Sequence, residues 1–157
     1  MSAYFQIKAK PKHIDMKGSF DIATNCRASS LYQCFYDIVP KYSEMVPLTE
    51  EILNKARENA RKEIENTRES LMEGREVLEG LERVAGNARD LATFDEIMER
   101  VDAARLDVRG CEKEIGLLEE AIVEIGVIED QFNENKDDWN FWVGIEGWIP
   151  GEDSENA

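Results

Sequence analysis

Histidine is almost missing from this chain: His13 is the only one among 157 residues. A Ser-His-Asp or Cys-His catalytic set would have to use it, and no motif around any Ser or Cys points to it, so an exposed turn residue is expected. Cysteine is scarce too. Cys26, Cys34 and Cys111 have no C-x-x-C spacing, which argues against a disulfide framework or a zinc site and suits a reducing, cytoplasmic compartment. Glu-x-x-His pairs, a Walker loop, G-x-G-x-x-G and an EF-hand loop are all missing, so no metal, cofactor or enzymatic activity is expected. No apolar run reaches membrane-spanning length, and Met1–Lys10 does not have the form of a signal peptide.

Positive charge is also short, and unevenly placed. Residues 1–47 hold six Lys/Arg and four Asp/Glu, whereas residues 48–157 hold 13 and 30. The resulting net charge of −15 opposes binding to nucleic acid or anionic membrane. It favours a basic partner, keeps long helices soluble, or lets the chain act as an acidic mimic of DNA.

What the sequence does have is periodicity. Thr49 is a candidate N-cap, with Glu50 and Glu51 in the first turn. Apolar or small residues then recur in two seven-residue rows, Ile64, Leu71, Leu78, Ala85 and Leu53, Ala60, Thr67, Gly74, Leu81, Ala88, which alternate at spacings of four and three from Ala60 on. Gly86-Asn87 interrupts them. Thr93 and Glu96 form a capping-box signature that opens a second run through Ile97, Val101, Ala104, Val108, Cys111, Ile115, Leu118, Ile122, Ile125 and Phe132. So short a connection predicts antiparallel neighbours over residues 48–132. The register pairs Ala85 with Ile97, Leu78 with Ala104, Gly74 with Val108, Leu71 with Cys111 and Ala60 with Ile122, small mostly against large. The seven-residue repeat predicts a coiled-coil hairpin. Leu117, Ala121, Val123, Val127 and Ile128 lie off this seam. The end of the second helix should therefore be buried in the rest of the fold or in another subunit. Val77, Val84 and Leu106 beside the seam offer a way to pair two hairpins.

The outer segments read as a β-containing base formed by residues 1–47 and 133–150. Tyr4–Lys10 alternates, with Phe5, Ile7 and Ala9 on one face. Ser19–Thr24 is a second strand with Phe20 and Ile22 inward. Asn25–Val39 reads as a short helix with a Leu31, Cys34, Phe35, Ile38 stripe, capped by Asn25, Ser29 or Ser30 and ended by Pro40. Trp139–Ile149 alternates again as a third strand, and residues 151–157 form an acidic, disordered tail. The predicted fold is α+β: a three-stranded antiparallel sheet and a short helix at the base of a long helical hairpin.

Two features suggest binding. Where the second strand meets the short helix, Asn25, Arg27, Ser29 and Ser30 would hold an anion or phosphate. Trp142 and Trp148 fall on the outer face by alternation and need a cover: the short helix, a subunit interface, or a stacked base. Together they would bind a nucleotide-like ligand. The size, acidity, absence of catalytic motifs and strand–strand–helix opening are similar to those of small accessory proteins of bacteriophages. That resemblance implies an inhibitor of a host enzyme or defence system. The expectation is a non-catalytic interaction protein that forms a homo-oligomer and has a protein partner, with nucleotide sequestration and DNA mimicry as alternatives.

Overall fold

The computed structural model describes residues 4–13, 19–26 and 29–151, with the backbone alone at Asn25 and Cys26. The elements in chain order are β1 (Tyr4–Pro11), β2 (Phe20–Cys26), α1 (Ser30–Phe35), β3 (Val46–Pro47), α2 (Glu50–Gly86), α3 (Leu91–Asn135) and β4 (Trp139–Ile145). The chain is α+β and forms two compact units, Met1–Ala60 with Glu120–Ala157, and Arg61–Glu119. No helix among the described residues is long and apolar enough to cross a membrane.

The first unit holds a four-stranded antiparallel sheet in the order β2-β1-β4-β3. Its register explains the alternation of β1. Phe5 lies between Asn25 and Ile145, Ile7 between Ala23 and Val143, and Ala9 between Phe20 and Phe141. This face packs against Leu31 and Phe35 of α1, Leu53, Ala56 and Ala60 of α2, and Ala121, Ile125 and Ile128 of α3. The Phe5 and Phe35 rings stack at 4.3 Å, and Phe132 meets Phe141 edge-on at 5.5 Å. Burying each such ring contributes about 1.5–3 kcal/mol.

Several sequence expectations need correction here. The sheet has four strands because β3 pairs Val46 with Val143 and Pro47 with Trp142. Two residues are too few to show alternation, and proline is tolerated on an edge. The last strand stops at Ile145, because Glu146 takes a left-handed φ of 48° and turns the chain. The expected helix start at Asn25 is instead the end of β2, drawn into pairing by Tyr4 and Phe5. Among the described residues of the expected span, Ser30–Phe35 alone forms the α-helix. Phe20, expected inward, is half exposed at the strand end, its ring edge-on to Trp139 at 5.6 Å. Toward the end of α3, Ala121 and Ile128 are buried, but Leu117, Val123 and Val127 are exposed, because only one side of the helix meets the core.

The second unit contains residues 61–86 of α2 and 91–119 of α3. Ile64, Thr67, Leu71, Ala85, Val101, Ala104, Val108 and Leu118 are its buried residues. A methyl group built on Gly74 would meet Val108 Cγ2 at 3.4 Å, so the small-against-large match expected at that pair is present. Three ion pairs run across the two helices: Arg68–Glu119 at 3.6 Å, Arg75–Glu112 at 3.4 Å and Arg105–Glu82 at 3.4 Å. Each step advances by one heptad on α2 and retreats by one on α3, as antiparallel helices require. Thr67 donates its buried hydroxyl to the Glu63 carbonyl at 2.8 Å. The helices are capped by Thr49, whose Oγ1 accepts from the Ile52 N–H, and by Asp90, which accepts from both the N–H and the hydroxyl of Thr93. Thr93 is therefore the partner of the cap, not the cap itself.

Candidate functional site

Ser29 is the N-cap of α1, and its Oγ accepts the Tyr32 N–H at 3.1 Å. α1 is only six residues long, so its N-terminal dipole is weak. Ser30 is its first residue and is half-buried. Asn25 has its backbone paired with Phe5 in β2. Arg27, on which phosphate binding would depend most, lies outside the described residues.

The two tryptophans occupy different settings. Trp142 stands in β4 on the face away from the main core, in register with Lys8 on one side and Pro47 on the other, and is half-buried. Trp148 lies beyond the strand. Its N–H donates to the Ser43 carbonyl at 3.3 Å, and its own carbonyl accepts the Met45 N–H at 2.7 Å. The cover on this face includes a segment of the chain itself. Gly144 pairs with Gln6 on the outer face, and a methyl there would meet Met45 Cγ at 3.1 Å. Met45 is 2% exposed. Gly147 allows this approach: a Cβ on it would lie 2.5 Å from the Ser43 carbonyl oxygen.

A third location was not singled out as a site in the sequence. β2 is an edge strand, with β1 on one side and no strand on the other among the described residues. It bulges where Ala23 pairs with Ile7 and Asp21 with Lys8, leaving Ile22 as the extra residue. Beside this edge lies a groove of about 300 Å³. Ile22 and Ala23 of β2, Leu31 of α1, and Val127 and Ile128 of α3 form its apolar lining, with Glu124 and Gln131 adding the polar groups. The signal legible in the sequence was the apolar surplus at Val127 and Ile128.

The α3 wall of the groove is acidic. Residues 120–135 carry Glu120, Glu124, Glu129, Asp130 and Glu134 with no Lys or Arg. Glu129 is engaged by Arg57 at 3.0 Å, and that hydrogen bond holds its carboxyl below the usual range. The thiol of Cys34 is pushed up to about 11, first by burial and further by the Glu124 carboxylate. Its carbonyl accepts Asn59 Nδ2 at 3.0 Å. A buried thiol so hard to ionise is a packing group rather than a nucleophile. His13 is exposed. Among the described residues no three His, Cys, Asp or Glu side chains gather where they could hold a metal ion. Comparison with protein-family models, with curated proteins and with solved structures finds no match.

Proposed function

We propose that this chain is a non-catalytic interaction protein that acts by holding a protein partner. The observation that carries this reading is the pairing of an open strand edge, β2, with an apolar groove at its side. Backbone N–H and C=O groups on such an edge supply affinity for another chain, and an adjoining groove selects its side chains. Following the resemblance to small phage accessory proteins, the partner is a host or defence factor, and occupancy blocks it.

Affinity capture with the full chain, followed by the intact mass of the eluted assembly, tests this. A defined stoichiometric complex with one protein is expected. A chain that elutes alone from every lysate of its native host, while turning over or retaining a small molecule, overturns the reading.

A further inference from the structure

We propose that the partner is held as an extended strand added to the free edge of β2, and that this strand alternates basic and apolar residues. The proposal rests on the protein-binding reading above and assigns that binding a surface and a partner chemistry.

Among the described residues, the sheet has one edge long enough to grow. Its other edge is β3, two residues long and containing Pro47, which has no N–H to donate. β2 has seven residues. The bulge at Ile22 interrupts regular pairing, so the usable edge is short and the affinity moderate. Alternate side chains of an added strand point to one face, where the groove lined by Ile22, Ala23, Leu31, Val127 and Ile128 would receive them. Val127 is 53% exposed and Val123, one turn away on α3, is 67% exposed. Val127 is thus an apolar side chain of the groove wall left uncovered.

Charge chooses among occupants. Glu124 lines the groove, Asp21 lies on β2, and Glu120, Asp130 and Glu134 extend the acidic run along α3. A second copy pairing edge to edge would bring the same carboxylates of both molecules together with no Lys or Arg from residues 120–135 to offset them. An acidic strand would meet the same repulsion. A strand with Lys or Arg between its apolar residues meets Glu124 and Asp21 with opposite charge.

The test uses the full chain and an acetylated peptide of about ten residues alternating Lys and Val. Two further peptides serve as controls: the Glu-Val counterpart, and the Lys-Val peptide with alternate amides N-methylated. Titration calorimetry is run at about 50 mM and about 500 mM NaCl. The Lys-Val peptide is expected to bind, more weakly at high salt. N-methylation, Val127→Gln and Glu124→Lys should each weaken it by about tenfold or more. The Glu-Val peptide should not bind the wild-type chain. Val127 and Glu124 are both exposed, so both variants should keep the wild-type circular dichroism. Failure of the Lys-Val peptide to bind, or binding untouched by N-methylation and by both variants, overturns the proposal. So does a wild-type dimer in sedimentation that Val127→Gln dissociates, since a second copy would then own the edge. If a protein partner is captured equally by wild type and both variants, the surface is wrong but the protein-binding reading stands. If neither peptide nor protein is ever held, both fall.

Discussion

Gly147 and Gly110 carry the same side chain and have opposite tolerance for a larger one. A Cβ on Gly147 would press to 2.5 Å from the Ser43 carbonyl oxygen and 3.0 Å from Met45 Cγ. The first of these is backbone and cannot rotate away, so Gly147→Ala should destabilise the fold by about 1–3 kcal/mol. Gly110 lies in α3 with nothing within 4 Å of the corresponding position. Gly110→Ala relieves the entropic penalty of a helical glycine and should stabilise by about 0.5–1 kcal/mol. Chemical denaturation of the two variants reads both signs in one experiment. Cys34 gives a pH-dependent counterpart. Its thiol ionises near 9.0 in the unfolded chain and near 11 in the fold. Below the first value both states are protonated and the stabilisation is fully present. Between the two values the unfolded state alone loses its proton, so stability falls as pH rises until the folded thiol also ionises. Wild type minus Cys34→Ala should show this falling limb above pH 9, and native Cys34 should react with iodoacetamide far more slowly than in denaturant.

Among the elements, ion pairs divide by exposure. Arg57 and Glu129 join α2 to α3 within the first unit with side chains only 16% and 26% exposed. The three pairs of the second unit have side chains 45–64% exposed. Double-mutant cycles should give a coupling of about 1 kcal/mol or more for Arg57–Glu129 and about 0.2–0.5 kcal/mol for each of the others. The Glu129 carboxyl is held below its ordinary value of 4.5, so its contribution is present above that value and is lost as pH falls through the lowered one. Arg57→Ala should therefore flatten the acid limb of the stability curve. The helices were legible because their signal is long. Nine seam positions on α2 and a break at Gly86 leave little choice of register, and the Gly74–Val108 contact follows from it. β3 was not legible, since two residues carry no period. The start of α1 was misread because Asn25 favours a helix N-cap and is poor in strands, so its local preference pointed away from the strand it joins. Partners on β1, 20 and 22 residues away in sequence, decided the conformation of Asn25 and Cys26. The tryptophan alternation failed at Trp148 because one left-handed residue, Glu146, ends the strand before it.

At the scale of the whole molecule, the groove shows why a site hides where elements do not. Ile22 and Leu31 come from consecutive elements, but Val127 lies 96 residues beyond Leu31, and only the packing of α3 in the common core brings it to them. Net charge, by contrast, is legible without any structure, and its effect on stability can be weighed. At −15 the folded chain holds 34 carboxylates closer together than the unfolded one does. Many stand next to one another on a helix face: Glu65, Glu69 and Glu73 follow at intervals of four, where like charges repel by about 0.2–0.5 kcal/mol per pair. Against this stand the three exposed cross-helix pairs and the better-shielded Arg57–Glu129. Salt screens both kinds of interaction within a Debye length of about 10 Å at 0.1 M. Nineteen cations cannot match 34 anions, so after every favourable pair is made, repulsive pairs remain in excess. Screening should therefore remove more repulsion than attraction, and Tm should rise as NaCl goes from about 10 mM to about 300 mM. Differential scanning calorimetry over that range checks it, with Glu69→Gln as a companion variant. Removing a carboxylate from the repulsive row should raise Tm at low salt and leave a smaller salt-induced rise. A Tm that falls with added salt would mean that the Arg–Glu ladder outweighs the repulsion.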